Sequence, residues 1–207
     1  MRKIRTSDDR WLDEVISHLG RGLVVALPTE TVYGLAVALD PAAVNRLFAL
    51  KGRASEKALP LQMDSLERAL AWGFDLSAPA AHLAERFWPG PLTLLLRRPA
   101  RCPFWFAPGS DLIALRIPDH PVVQEVLRRT GQPLAVTSAN RSGEPECLDA
   151  GAVAGTFGDA EDLLVLDGGP SSGGSASGVV DASGQEPVLM REGPIPFPAL
   201  LEVWHGR

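Results

Sequence analysis

Short apolar runs separated by segments of helical period set the tightest limit on what this chain can become. Leu23-Val24-Val25-Ala26-Leu27 is one such run, closed by Gly22 on one side and Pro28 on the other. Its length suits a strand buried on both faces. Further strands are predicted over 59–63, 92–96, 112–117, 133–137 and 163–166, and helices fall between them. Ser7 stands where it can cap a helix that carries Trp11, Val15, Ile16 and Leu19 on one face and stops at Gly20 and Gly22. Asp40 and Pro41 read as the cap and first residue of a second helix, with Val44, Leu47 and Phe48 facing inward and Gly52 at its end. Helices over 65–72, 79–87, 121–129 and 149–157 complete the set. Alternation of this kind specifies an α/β fold. Beyond Leu166 the pattern becomes strand, glycine-rich loop and paired strands at 179–181 and 187–190, so the expected sheet is mixed rather than purely parallel.

At 207 residues the chain suits one well-buried domain, with its motifs between about 20 and 195. No apolar run approaches the roughly 20 residues of a spanning helix. Arg2, Lys3 and Arg5 are followed by polar residues where a signal peptide needs an apolar stretch, so a cytoplasmic protein is expected. Cys102 and Cys147 are isolated and read as reduced thiols, without zinc-ligand spacing or a disulfide framework. A net charge of -5 argues against a protein whose main task is coating nucleic acid. The basic stretches Arg97-Arg98 with Arg101, and Arg128-Arg129, are either solvated surface or local contact patches.

Polar residues gather at the ends of three predicted strands: Pro28-Thr29-Glu30-Thr31 after the first, Arg116 at the end of 112–117, and Ser138-Ala139-Asn140 after 133–137. Ligands of open α/β sheets sit beyond the carboxyl ends of strands, and the shared location is the signal. Taken singly, each piece also reads as a turn, a surface charge or a cap. Lys51-Gly52-Arg53 and Lys57 follow the second helix. Cations there offset the negative end of the helix dipole, but so many within seven residues also suit a triphosphate. The loop 168–178 can be a flexible lid or a phosphate-contacting turn. No GxxxxGK[ST], GxGxxG or HExxH motif is present, and His18, His82, His120 and His205 read as structural.

Together these residues resemble the YrdC/TsaC family of threonylcarbamoyl-AMP synthases. The segments that carry the resemblance are Pro28-Thr29-Glu30-Thr31-Val32-Tyr33-Gly34-Leu35, Lys51-Gly52-Arg53, Trp88-Pro89-Gly90-Pro91-Leu92-Thr93, Leu115-Arg116-Ile117-Pro118-Asp119-His120-Pro121, Thr137-Ser138-Ala139-Asn140 and Arg191-Glu192-Gly193-Pro194. The resemblance implies a single-domain, twisted mixed sheet with flanking helices and a concave basic cavity. It also implies a nucleotidyltransferase that joins L-threonine, bicarbonate and ATP for tRNA modification, with magnesium arriving on the ATP. By the same resemblance Lys51 and Arg53 act on the phosphates. Lys57, Ser138, Asn140 and Arg191 would join them around ATP, while Thr31, Arg116 and Ser177 would hold threonine. Contact with tRNA or other RNA, and with downstream threonylcarbamoyl-transfer proteins, is implied as well.

Two positions depart from the family pattern. Gln62 stands where many members have a histidine near the amino acid, and glutamine cannot carry a proton at neutral pH. Ala176-Ser177-Gly178 replaces a more usual proline, serine and threonine. The long C-terminal extension of one family branch is not expected here. A carbamoyl-adenylating paralogue with another acceptor and a double-stranded RNA or tRNA-binding module are the competing readings.

Overall fold

The computed structural model describes residues 1–52 and 59–206. Among them are β1 (Arg2–Arg5), β2 (Val24–Leu27), β3 (Gly34–Ala38), β4 (Leu61–Gln62), β5 (Leu92–Arg97), β6 (Leu112–Arg116), β7 (Leu134–Ser138), β8 (Leu163–Asp167), β9 (Gly178–Asp181) and β10 (Val188–Arg191). They form one sheet in the order β1-β8-β2-β3-β7-β4-β6-β5-β9-β10. The helices are α1 (Trp11–Gly20), α2 (Pro41–Lys51), α3 (Leu66–Trp72), α4 (Ala78–Phe87), α5 (Pro121–Thr130), α6 (Ala150–Phe157) and α7 (Phe197–Trp204). The sheet is mixed, as expected: β1, β2 and β8 are parallel, whereas β3 is antiparallel to both β2 and β7.

Most element starts follow from local chemistry. Asp40 accepts the Ala43 N–H, Ser65 that of Arg68 and Asp149 that of Ala152, each capping its helix, and Gly52 ends α2 in the left-handed conformation that a side chain disfavours. Ser7 does not cap α1. That helix begins only at Trp11, behind a turn in which Asp8 accepts the Arg5 N–H at 2.8 Å, so the Ser7 hydroxyl lies too far upstream to reach its first donors. Three elements were not predicted. β1 is an edge strand whose one buried residue is Ile4, β3 is hidden inside the polar Pro28-to-Leu35 motif, and α7 buries Leu200 and Trp204 beyond the last predicted strand. The strand predicted over 59–63 contracts to Leu61–Gln62, although Val136 N to Pro60 O and Met63 N to Arg116 O continue its bonding on both sides.

Each sheet face has its own core, and their unequal size creates the cavity. One face carries Val24, Leu35, Leu61, Leu94, Leu115 and Val180, covered by apolar residues of α2, α4, α6 and α7. The opposite face carries Ile4, Val25, Leu27, Ala36, Val136 and Leu164, and only α1 and α5 cover it, through residues such as Val15, Leu19, Val123 and Val126. Those two helices stop short of the far half of the sheet. There Gln62, Thr93, Leu95, Ala114, Arg116 and Val179 line an open cavity instead of packing under a helix. No helix among the described residues is long and apolar enough to cross a membrane.

Candidate active site

The cavity holds about 250 Å³. Its polar groups do not come from one edge of the sheet, contrary to the sequence expectation. β6 is parallel to β4, which is antiparallel to β7, so Arg116 ends its strand at the edge where β7 begins rather than where β7 ends at Ser138. Gln62 pairs with Arg116 on one side and Leu134 on the other, four residues before Ser138, a separation of about 13 Å along the strand. The cavity therefore has two polar ends.

Arg116 anchors the first end. Strand alternation sends Leu115 into the core and Arg116 to the opposite face, where it is 6% exposed. Its Nε donates to Gly90 O at 3.1 Å, and its Nη2 donates to Glu30 Oε1 at 2.6 Å and to Thr31 Oγ1 at 3.0 Å. Thr31 Oγ1 lies 2.9 Å from Thr29 Oγ1, which donates to Val32 O. The β2–β3 loop is thus tied into a bend that brings hydroxyl and carboxylate to the guanidinium. Gln62 lies beside Arg116, buried, and neither its Oε1 nor the buried Glu30 Oε2 has a hydrogen-bond partner among the described residues. Unpaired acceptors of this kind are costly unless something else supplies a donor.

Ser138 marks the second end, and Lys51 stands behind it. As the last residue of α2 it turns inward instead of lying on the surface, and it is 3% exposed. Its Nζ donates to Ser138 O and, at 2.9 Å, to Asn140 Oδ1, which also accepts from Ser138 Oγ at 2.7 Å. Asn140 Nδ2 in turn donates to Glu144 O at 2.6 Å. Ser138 and Asn140 are thereby brought together with Lys51, far from both in sequence. Arg53 and Lys57 lie outside the described residues.

The glycine-rich segment crosses the open face from the end of β8 to the start of β9, and it is anchored along its length. Tyr33 donates to Gly169 O at 2.7 Å, its hydroxyl pKa pushed up to about 12 by burial, and Ser171 N bonds Leu148 O. A Cβ on Gly173 would stand 2.5 Å from Glu30 O and 2.9 Å from Thr31 Cα, so glycine permits the close crossing. At the far end Ser177 Oγ lies 2.8 Å from Thr93 Oγ1, and Arg191 donates through Nε and Nη2 to Ser177 O. Partial burial lowers the Arg191 pKa; the Glu146 charge opposes this and the Arg116 charge adds to it. Among the described residues, Arg116 and Arg191 are the charged ones on the cavity wall.

Glu30 and Thr93 make contacts that sequence reasoning did not assign, although both stood inside recognised motifs. The basic stretches form surface ion pairs, Arg98 with Asp111, Arg128 with Glu125 and Arg129 with Asp13. Arg101 and Arg129 also border a larger cavity of about 490 Å³ beside Trp72 and Leu39. Cys102 and Cys147 are free and buried.

A family model described as telomere recombination, Sua5_yciO_yrdC, matches residues 17–193. A threonylcarbamoyl-AMP synthase of Pyrococcus abyssi is 37% identical over 203 residues, covering 97% of this chain and 59% of that protein. One from Pseudoalteromonas atlantica is 37% identical over 174 residues, covering 83% of this chain and 89% of its own length. The solved structure of P. abyssi Sua5 complexed with L-threonine matches with a TM-score of 0.89 at 35% identity, over 98% of this chain and 60% of that one. The chain thus spans little more than half the length of the Pyrococcus relatives.

Proposed function

This chain belongs to the Sua5_yciO_yrdC family, and from that premise we propose that it is a nucleotidyltransferase forming L-threonylcarbamoyl adenylate and pyrophosphate from L-threonine, bicarbonate or carbon dioxide, and ATP. The observation that carries this reading is the division of one cavity between two polar ends. A guanidinium framed by hydroxyls occupies one, and Ser138, backed by the buried Lys51 ammonium and Asn140, lines the other. A zwitterionic amino acid suits the first and a polyphosphate the second.

In this reading the threonine carboxylate meets Arg116, with Thr31 and Ser177 offering hydroxyls beside it. The ammonium first gives up a proton to solvent, and the neutral amine then captures carbon dioxide as a carbamate with loss of a second proton. A carbamate oxygen then attacks the α-phosphorus, and the bond to the β-phosphate breaks with release of pyrophosphate. Lys51 and Arg53 stabilise negative charge on the phosphates, and Lys57, Ser138, Asn140 and Arg191 hold the nucleotide. Positioning two substrates against one another supplies most of the acceleration. Magnesium enters with ATP as part of that substrate. The labile product would pass to tRNA threonylcarbamoyl-transfer proteins, with RNA contact in the same pathway, in the cytoplasm.

The test is incubation with MgATP, L-threonine and bicarbonate, following pyrophosphate and the adenylate. Product should require threonine and bicarbonate together. Equal pyrophosphate release from ATP alone would sink the synthase reading.

A further inference from the structure

We infer that Glu30 is a positioning residue for the amino-acid subsite, holding Arg116 so that its Nη1 edge is the one offered to a substrate carboxylate. The inference rests on the reading of Arg116 as the threonine clamp. A guanidinium has five N–H donors. In this structure the Nε donor and both Nη2 donors are committed, to Gly90 O, Glu30 Oε1 and Thr31 Oγ1. Only the two on Nη1 make no hydrogen bond among the described residues. Arg116 is therefore not an empty fork awaiting a carboxylate, because one edge already carries a resident one.

The alternative is that Glu30 merely neutralises a buried charge. Burial argues against so plain a role, because the Glu30 and Arg116 side chains are only 17% and 7% exposed, and such pairs often add little stability over apolar replacements. The carboxylate is also poorly satisfied. Glu30 Oε2 is buried and has no hydrogen-bond partner among the described residues, so Arg116 is the one side chain there that the carboxylate hydrogen-bonds. Three elements converge to fix this one contact: the strand holding Arg116, the turn supplying Gly90 O and the β2–β3 loop bearing Glu30 and Thr31. The glycine-rich crossing packs at Gly173 against the backbone of that loop at Glu30 and Thr31. Such convergence fixes an orientation, which edge-specific recognition of a carboxylate requires.

The experiment is titration calorimetry of L-threonine, and separately of ATP, with the unsubstituted protein, Glu30→Gln, Arg116→Lys and the double variant. Glu30→Gln should weaken threonine about tenfold and leave the ATP Kd within about twofold. The double variant should bind threonine no more weakly than Arg116→Lys alone, because the glutamate acts only through the arginine. Multiplying effects, an unchanged threonine Kd in Glu30→Gln, or an equal loss of ATP affinity would each overturn the proposal. If Glu30→Gln does not fold, Glu30→Asp decides, since it keeps the charge but falls short of Nη2 and should weaken threonine severalfold with ATP unaffected; threonine binding equal to that of the unsubstituted protein would overturn the proposal. Failure of the unsubstituted protein to bind threonine would sink the synthase reading and this inference with it, whereas threonine binding that ignores Glu30 sinks the inference alone.

Discussion

Lys51, at the end of α2, places its ammonium 2.9 Å from the side-chain oxygen of Asn140, on the loop after β7. The contact is buried and joins two segments that approach only because the chain folds. Its position gives the lysine two duties, one in the fold and one in the proposed chemistry.

Lys51→Ala should therefore do more than remove a catalytic charge. Ser138 O and Asn140 Oδ1 would lose a charged donor, which costs about 2–3 kcal/mol and about 4–10 °C in Tm for a chain of this size. Turnover should fall by about 100-fold or more, because the ammonium acts where charge develops on the phosphates. Activity measured well below both melting temperatures separates the effects. A fall in proportion to the unfolded fraction alone would make Lys51 a structural lysine.

Arg116→Lys should raise the threonine requirement steeply while sparing ATP. A lysine ammonium cannot reach Gly90 O, Glu30 and Thr31 in three directions and still face the cavity. Loss of a charge-assisted contact to a buried partner costs about 2–5 kcal/mol, or about 30-fold or more in apparent affinity. Threonine-dependent activity and calorimetry with ATP are the measurements. Loss of ATP binding alone would move this residue to the nucleotide end.

Much of this architecture was legible because local chemistry and long-range packing agree. Asp40-Pro41 and Ser65 start helices whose apolar faces are buried, and alternation through Leu115 and Arg116 assigned each side chain to its correct face. Strand direction was not legible, since apolar periodicity is the same whichever way a strand runs. That is why Arg116, Ser138 and Thr31 were expected at one edge and instead approach through a loop folded over the sheet. Glu30 escaped for a related reason: a glutamate in a polar loop looks solvated until a distant strand supplies its arginine. β3 was hidden by the same motif, whose polar start masked the buried Leu35, Ala36 and Val37 that follow.

Gly193→Ala should disrupt the rim that Arg191 forms. A Cβ there would stand 2.0 Å from Gly178 N and 2.4 Å from Gly178 Cα, backbone atoms that cannot turn aside. The strain of forcing the two segments apart is of the order of 1–3 kcal/mol. Arg191 would then lose its two bonds to Ser177 O. A lowered urea midpoint with weakened ATP binding is expected. Unchanged values for both would mean that the segment tolerates separation.

The last prediction concerns acid stability and His120. This residue caps α5, its Nδ1 accepting the Val122 N–H at 3.3 Å, and a ring nitrogen that accepts carries no proton. Burial lowers the imidazole below its ordinary value of 6.5, while the Glu30 and Asp119 charges push the other way but less strongly. The folded state therefore binds the proton less readily than the unfolded chain does. Stability from neutral His120 should be fully present above about pH 6.5 and lost as pH falls through the lower folded value. His18 contributes in the same sense, since burial lowers it too. His120→Asn keeps a capping acceptor and removes the titration. Urea unfolding at pH 7, 6 and 5 should show stability falling with pH in the unsubstituted protein and falling less in His120→Asn, with His18 contributing to the remainder. Equal slopes would mean that His120 binds its proton alike in both states, and that the cap does not depend on a neutral ring.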